Sequence, residues 1–324
     1  MAEIYLSATA KIPASTTNLG PGFDVLGIGL SLYSQVILEE KASETKIICL
    51  GKDSEKIPIT PDNIAYQAVM KIFDHFDYHP PGIQLTINNG IPAIRGLGGS
   101  GTAILGGLLT ANLICHKRLG TESLSNSEIL SFATEFEGHP DNVAASLFGG
   151  VVVSAMEHSN KDRLPSIKSI KLLPPSDLRL IIAIPDFTLP TQKARNILPN
   201  SVNFSDAVFN IGRSSLLVAA LATGNLDLLA TAMQDQLHQP YRAKLIPGFN
   251  EVIESAMSAG ALSVSLSGAG PTMIAYARSS SNTNEISEKM AYAFKNNGLS
   301  SQTQILCVDT NGAEVGSPSI KSSR

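Results

Sequence analysis

The 324-residue chain contains no tryptophan, and only 6% of its residues are aromatic. A platform of stacked aromatics, of the kind that grips single-stranded nucleic acid, is therefore not expected. A net charge of −4 offers no basic surface for a phosphate backbone or an anionic membrane. The three cysteines, Cys49, Cys115 and Cys307, stand too far apart for a metal-ligand or redox spacing. They read as reduced thiols in a cytoplasmic protein. No basic stretch followed by an apolar one opens the chain, so no signal peptide is expected. The most apolar runs, at 103–115 and 216–222, fall short of the roughly 20 residues a membrane-spanning helix requires. A Gly-Lys-Ser/Thr triplet is missing throughout, which excludes a P-loop.

Hydrophobic content of 43% and charged content of 16% are enough for real cores, and the length suits two domains of ordinary size. A polar stretch at 157–164, followed by Pro165, Pro174 and Pro175, places the boundary between 1–160 and 161–310. The Ser-rich tail at 311–324 is expected to fray. Strand patterns occur at 4–8, 36–39, 46–49, 84–87 and 148–155 in the first half, and helical ones at 63–76, 102–117 and 126–137. Ser125 and Glu128 have the spacing of a capping box. The second half reads strand 178–183, helices 206–223, 226–235 and 249–259, strands 263–266 and 272–277, helix 284–296 and strand 304–308. Strands pairing through a Gly-rich turn and alternating with helices predict an α+β architecture.

The most informative segment is Gly96-Leu97-Gly98-Gly99-Ser100-Gly101-Thr102, which opens into the apolar run 103–115. A small-residue loop feeding a helix leaves backbone N–H groups aimed at one spot, where the helix dipole adds positive potential; that is a phosphate site. Gly96, Gly98 and Gly101 formally satisfy the dinucleotide fingerprint. That motif needs a strand running into its first glycine, and an acidic residue ending the next strand. Here eight residues of turn and linker separate the strand at 84–87 from the loop, and Glu122 lies between helices, so the dinucleotide reading fails on context. A tight turn with close helix packing is the remaining alternative for the loop alone.

Pro92 to Ala103 resembles the phosphate-loop motif of the GHMP small-molecule kinases, with Gly99 in place of the usual first serine. Three further segments are similar to that family, and to the homoserine kinases within it. They are Pro13-Ala14-Ser15-Thr16-Thr17-Asn18-Leu19-Gly20-Pro21-Gly22-Phe23-Asp24, Glu137-Gly138-His139-Pro140-Asp141-Asn142-Val143-Ala144-Ala145, and Ser267-Gly268-Ala269-Gly270-Pro271-Thr272. The resemblance implies a two-domain α+β fold. Its N-terminal ribosomal-protein-like βα domain has a left-handed crossover, and its C-terminal domain is a ferredoxin-like sandwich. It further implies transfer of phosphate from ATP, with Mg2+, to L-homoserine; the sequence leaves the oligomeric state open between a monomer and a homodimer. A relative acting on another small alcohol such as mevalonate, or a non-catalytic amino-acid or nucleotide sensor, is the alternative.

On that resemblance Pro92, Arg95, Gly96, Leu97, Gly98, Gly99, Ser100, Gly101 and Thr102, with Ser267, Gly268 and Gly270, bind the nucleotide. Ser100 holds Mg2+, and Asn63 matches the adenine contact, although an N-cap before Ile64 explains Asn63 equally well. Asn18 and Asp24 bracket a Gly-Pro-Gly turn; they stabilise that turn, or hold the substrate amine as the resemblance implies. Glu137 falls at the edge of an apolar helix sector made by Ile129, Leu130, Ala133 and Phe136, whereas Glu135 falls opposite and reads as a surface charge. An inward carboxylate demands a cation. A neighbouring lysine or arginine is one candidate, but Glu137 is assigned to hold Mg2+ with Ser100, which the family pattern also favours. His139 fits a general base, a substrate contact or a structural histidine. With Asn142 where other GHMP kinases carry an aspartate, Asp141 is not the automatic base, and His139, Asp141 and Asn142 are expected to position the acceptor. Arg195, with Thr191 in the same segment, and Arg242 match positions that hold the substrate carboxylate.

Overall fold

The computed structural model describes residues 4–157 and 164–322. The expected boundary at 160/161 lies outside the described residues.

The first half contributes β1 (Ile4–Asn18), β2 (Gly22–Lys41), β3 (Lys46–Gly51), α1 (Ile64–His75), β4 (Gly82–Asn89), α2 (Gly99–Leu119), α3 (Asn126–Glu137), α4 (Asp141–Phe148), β5 (Val151–Glu157) and β6 (Ser166–Leu172). The second contributes β7 (Leu178–Pro185), α5 (Thr191–Asn196), α6 (Phe204–Thr223), α7 (Leu229–Ala232), α8 (Gln239–Arg242), α9 (Phe249–Ser258), β8 (Ser263–Leu266), β9 (Met273–Arg278), α10 (Thr283–Asn296), β10 (Ser301–Leu306) and β11 (Glu314–Ser322). Seven strands form one sheet, in the order β11-β1-β2-β4-β3 with β5 and β6 added at β2, and four form the other, in the order β10-β7-β9-β8. All pairings in the second sheet are antiparallel. Numbered within that half, the order is 4-1-3-2, the split βαβ arrangement of a ferredoxin-like layer.

Two segments depart from the sequence reading. β6 pairs with β5 from Val151 opposite Leu172 to Glu157 opposite Ser166, so 166–172 belongs to the first sheet. The tail expected to fray instead runs along β1, with Ala10 opposite Val315 and Lys11 opposite Glu314. β1 would otherwise leave a row of unpaired N–H and C=O groups at the sheet edge, and a Ser-rich strand satisfies them as well as an apolar one.

β7 is buried on both faces and reads as a continuous apolar run. Leu180, Ile182 and Ile184 point into a core shared with Leu26, Ile28 and Leu30 of β2, while Ile181 and Ala183 face Val252, Ile286 and Met290 of α9 and α10. The shared core locks the two sheets together, so the cleft between them has fixed walls. α2 approaches the first sheet closely because Gly106 and Gly107 lack side chains. A Cβ at Gly106 would lie 2.3 Å from Val36 Cγ2, and one at Gly107 2.3 Å from the Ala65 carbonyl oxygen. Each mid-helix glycine costs about 1 kcal/mol relative to alanine; burial of Ile104, Leu105, Leu108 and Leu109 in the core outweighs that cost. The capping box is present: Ser125 Oγ accepts from the Glu128 N–H at 3.3 Å, and Glu128 Oε2 from the Ser125 N–H at 2.8 Å. No helix among the described residues is long and apolar enough to cross a membrane.

Candidate active site

The four segments singled out in the sequence converge on one cavity of about 310 Å³ between the two sheets. At its centre α2 begins. Gly98 is the N-cap, in the left-handed region at φ 71°, and contributes no side-chain cap. The first intrahelical bond runs from the Thr102 N–H to the Gly98 carbonyl at 3.0 Å. The N–H groups of Gly99, Ser100 and Gly101 therefore face the cavity at the positive end of a 21-residue helix, a favourable place for phosphate oxygens. Gly98 is confined to glycine by sterics: a Cβ there would meet Ser15 Oγ at 2.2 Å. Gly99 is not, since the nearest atom to an added Cβ is Ile91 Cγ2 at 4.0 Å, and its φ is not left-handed. Gly99→Ser is thus expected to leave the melting temperature within about 1 °C and the KM for ATP equal or lower, as thermal denaturation and steady-state kinetics would show.

Of the predicted nucleotide residues, Arg95, Gly96, Leu97, Gly98, Gly99, Ser100, Gly101, Thr102 and Gly268 line the cavity. Pro92, Asn63, Ser267 and Gly270 are not brought to it. Asn63 caps α1, accepting from the Ala65 and Tyr66 N–H groups at 2.9 and 3.2 Å, and its amide donates to the Pro58 carbonyl at 2.6 Å. Every polar atom of that side chain is therefore engaged, and its contribution to the cavity is to hold Pro58 on the rim. Ser267 Oγ donates to the Gly96 carbonyl at 2.7 Å and accepts from Thr16 Oγ1 at 2.9 Å, tying the C-terminal glycine loop beneath the phosphate loop. Arg95 lines the cavity and turns its guanidinium to the carbonyls of Pro185 and Phe187 and the carboxylate of Asp186, so it also clamps the two halves. The sequence reading missed Lys56, Ile57, Pro58, Ile64 and Ile87, which form the apolar end of the cavity. Lys56, Ile57 and Pro58 come from a connection without strand or helix periodicity, whereas Ile64 opens α1 and Ile87 lies in β4, where periodicity marks an inward face but not which residue reaches the cavity.

Glu137 is the last residue of α3, where the helix dipole disfavours a carboxylate, and the last turn carries no basic residue. Its Oε1 is buried without a hydrogen-bond partner, and the residue lines the cavity. An orphaned buried carboxylate oxygen facing a phosphate loop fits a cation ligand. Glu135 pairs with Lys71 at 3.0 Å on the surface, as its position on the helix face predicts.

On the opposite wall lies a cluster of charges. Arg195 donates from Nη1 to Asp24 Oδ2 at 3.0 Å and from Nη2 to Oδ1 at 2.8 Å, a bidentate pair. Hydrogen bonding to Asp24 raises the pKa of Arg195 further. Asp24 and Asn18 both adopt left-handed backbone, at φ 57° and 70°. The turn is held because Asn18 Oδ1 accepts from the Asp24 N–H at 3.0 Å, and Asn18 Nδ2 donates to the Gly268 carbonyl at 2.9 Å. The turn-stabilising reading of Asn18 is therefore observed, while both residues also line the cavity. Arg242 is 2% exposed, donating from Nε to the Ala194 carbonyl at 3.0 Å and from Nη1 to the Gly268 carbonyl at 3.1 Å. Burial, helped by the charge of Arg195, pushes its pKa down to about 10, so it is cationic at neutral pH. Both guanidinium groups lie over the Phe23 ring, at 5.5 Å for Arg195 and 5.2 Å for Arg242. Phe23 is a contact that the sequence reading did not single out.

His139 Nδ1 lies 2.6 Å from Asp141 Oδ1, which also accepts from the Asn142 N–H at 2.8 Å. Asn142 Oδ1 in turn accepts from Ser15 Oγ at 3.1 Å, beside Gly98. Burial lowers the pKa of His139, but the hydrogen bond and charge of Asp141 outweigh it and the net shift is upward. The stability this pair contributes is present below the unfolded pKa of about 6.5 and is lost as pH rises through the higher folded value. An NMR titration should place the His139 midpoint above about 6.5, and Asp141→Asn should lower it, because burial then dominates while the charges of Asp24 and Arg195 oppose each other.

Residues 63–150 match the family described as GHMP kinases N terminal domain, and residues 217–296 the family described as GHMP kinases C terminal. The homoserine kinase of Moorella thermoacetica is 42% identical over 305 residues, covering 94% of this chain and 98% of that protein. That of Carboxydothermus hydrogenoformans is 46% identical over 267 residues, covering 82% and 84%. The crystal structure of homoserine kinase from Cytophaga hutchinsonii superposes with a TM-score of 0.82 at 29% identity, over 96% of this chain and 97% of that one. A mevalonate diphosphate decarboxylase from Staphylococcus aureus, at TM-score 0.66 and 14% identity over 96% and 98%, shares the fold alone. Near-full-length identity at this level, with all four motifs gathered around one cavity, assigns the chain to the GHMP kinases, in their homoserine kinase family.

Proposed function

We propose that the protein transfers the γ-phosphoryl group of ATP to the side-chain hydroxyl of L-homoserine, giving O-phospho-L-homoserine. The observation that carries this reading is the juxtaposition, in one cavity, of unpaired N–H groups at the start of α2 with a zwitterion-sized set of charges, Asp24, Arg195 and Arg242. The triphosphate lies along Gly96 to Thr102, with the purine toward Ile57, Pro58, Ile64 and Ile87. Glu137 and Ser100 are the residues that would hold Mg2+. The ion would neutralise charge on the transferring phosphate when bound. Asp24 and Asn18 receive the substrate amine, and Arg195 and Arg242, with Thr191 alongside, its carboxylate.

The Asp24–Arg195 pair gives this set a definite resting state: each charge satisfies the other until a zwitterion brings an amine for one and a carboxylate for the other. Asp141 bonds both His139 and the Asn142 N–H, and all three line the cavity shared by the charged cluster and the phosphate loop, so they orient the acceptor hydroxyl. A loose phosphoryl-transfer transition state depends on positioning and charge stabilisation, and a dedicated base is not required.

A coupled assay of ADP release against homoserine, mevalonate, galactose and shikimate tests the reading. Turnover is expected on homoserine; turnover on another alcohol alone would overturn the substrate while sparing the class. If the chain pairs as a homodimer, the outward side of α6 offers the contact, because Phe204, Val208 and Ile211 there are 85%, 53% and 67% exposed. Ile211→Glu should convert a dimer into a monomer in light scattering.

A further inference from the structure

His238 has no exposed surface and takes no part in the reaction as described. Its Nε2 lies 2.7 Å from the Gly20 carbonyl oxygen, an acceptor only, so Nε2 carries the proton. Nδ1 is 3.4 Å from Arg242 Nη1, a donor only, so Nδ1 is the acceptor and the ring is neutral. Burial acts in the same direction and lowers the His238 pKa.

The ring is fixed from below by Asp235, whose carboxylate accepts from the Leu237, His238 and Gln239 N–H groups at 2.8, 3.0 and 2.6 Å. Asp235 also accepts from Asn210 Nδ2 at 2.8 Å, and that amide reaches the Pro21 carbonyl at 3.3 Å. Phe23 closes the arrangement, its ring centroid 5.2 Å from that of His238. One neutral imidazole thus touches both the turn that carries Asp24 and the guanidinium of Arg242.

We propose that His238 is a positioning residue that sets the separation between the amine-binding and carboxylate-binding poles of the substrate site, by bridging the Gly20 carbonyl to Arg242. The proposal rests on the homoserine kinase reading of that site. It accounts for a histidine with an obligatory donor on one nitrogen and an obligatory acceptor on the other: an apolar residue of equal size would leave the Gly20 oxygen and an Arg242 N–H buried and unpaired. The bridge meets the nucleotide end of the cavity only through the Gly268 carbonyl, which Arg242 Nη1 reaches at 3.1 Å, so the larger consequence falls on the amino acid.

Steady-state kinetics of His238→Leu, His238→Gln and His238→Asn, with melting temperatures, test this. His238→Leu should raise the KM for homoserine by about ten- to hundredfold, leaving the KM for ATP and kcat within about threefold. The longer amide of His238→Gln can donate and accept at once and should restore the KM for homoserine to within about threefold of the wild type. A homoserine KM unchanged in His238→Leu overturns the proposal. So does a parallel rise of both KM values with a lowered melting temperature, the mark of a merely structural residue. Should His238→Leu fail to fold, His238→Asn, too short to span both partners, must raise the homoserine KM above that of His238→Gln. Equal values overturn the proposal. A wild type that does not turn over homoserine defeats the functional reading instead, which keeps the two failures distinct.

Discussion

Replacing Glu137 by glutamine is expected to make the protein less active and more stable at once. Turnover of ATP and homoserine should fall by about 10²- to 10³-fold, equivalent to roughly 3–4 kcal/mol of transition-state stabilisation. The melting temperature should rise by about 1–2 °C. The reason lies in one atom. Glu137 Oε1 is buried without a hydrogen-bond partner at the C-terminal end of α3, so the helix dipole opposes its charge and only the more distant Arg195 attracts it. Glutamine removes the charge and keeps the shape, which relieves the free protein. It also removes a cation ligand facing the phosphate loop, which is where the loss of activity originates. The two effects separate experimentally: kinetics at saturating Mg2+ reads one, and calorimetry of the free protein the other. Retained activity, or a melting temperature that drops, would show that Glu137 answers to a cation other than a metal.

The second large effect concerns the bidentate pair. Asp24→Asn and Arg195→Gln should each lower kcat/KM for homoserine by about two to three orders of magnitude, because each leaves its former partner partly buried and unpaired as well as removing a substrate contact. The double variant should be far better than the product of the two singles, since the charges satisfy one another only as a pair. Affinity for ATP, measured by calorimetry, should change by less than about threefold in all three, since the nucleotide end of the cavity is built from other residues. Additive losses would mean that the pair is not the resting form of the substrate site. Arg195→Lys is not conservative in this setting, as an ammonium cannot reproduce the forked contact with both carboxylate oxygens.

Much of the local structure is legible from residue order. The capping box at Ser125 and Glu128, the limits of α3, the N-cap at Asn63 and the strand at 263–266 each follow from chemistry that acts over three or four residues. α4 escaped detection because the sequence His139-Pro140-Asp141 reads as a turn, and the eight-residue helix it starts is too short to establish a period. β6 and β11 escaped for a different reason. Their composition is polar, and they are strands because a sheet edge offers unpaired backbone groups, a long-range circumstance that no window of sequence contains.

The same division runs through the site. The glycine loop is a phosphate site by sequence alone, because small residues before a helix leave N–H groups unpaired wherever the rest of the chain goes. Helix periodicity likewise turned Glu137 inward and Glu135 outward, and both are found so. What residue order could not determine is which partner each polar group meets. Asn63 matched an adenine contact and bonds the Pro58 carbonyl and its own helix; Ser267 and Arg95 matched nucleotide contacts and also bind the two halves together. Asp24 and Arg195, 171 residues apart, become one bidentate pair only when the two sheets close over their shared core. Local chemistry specifies what a side chain can donate or accept. Competition among all groups brought within about 3 Å by folding decides which bond is made, and that competition exists only in the tertiary structure.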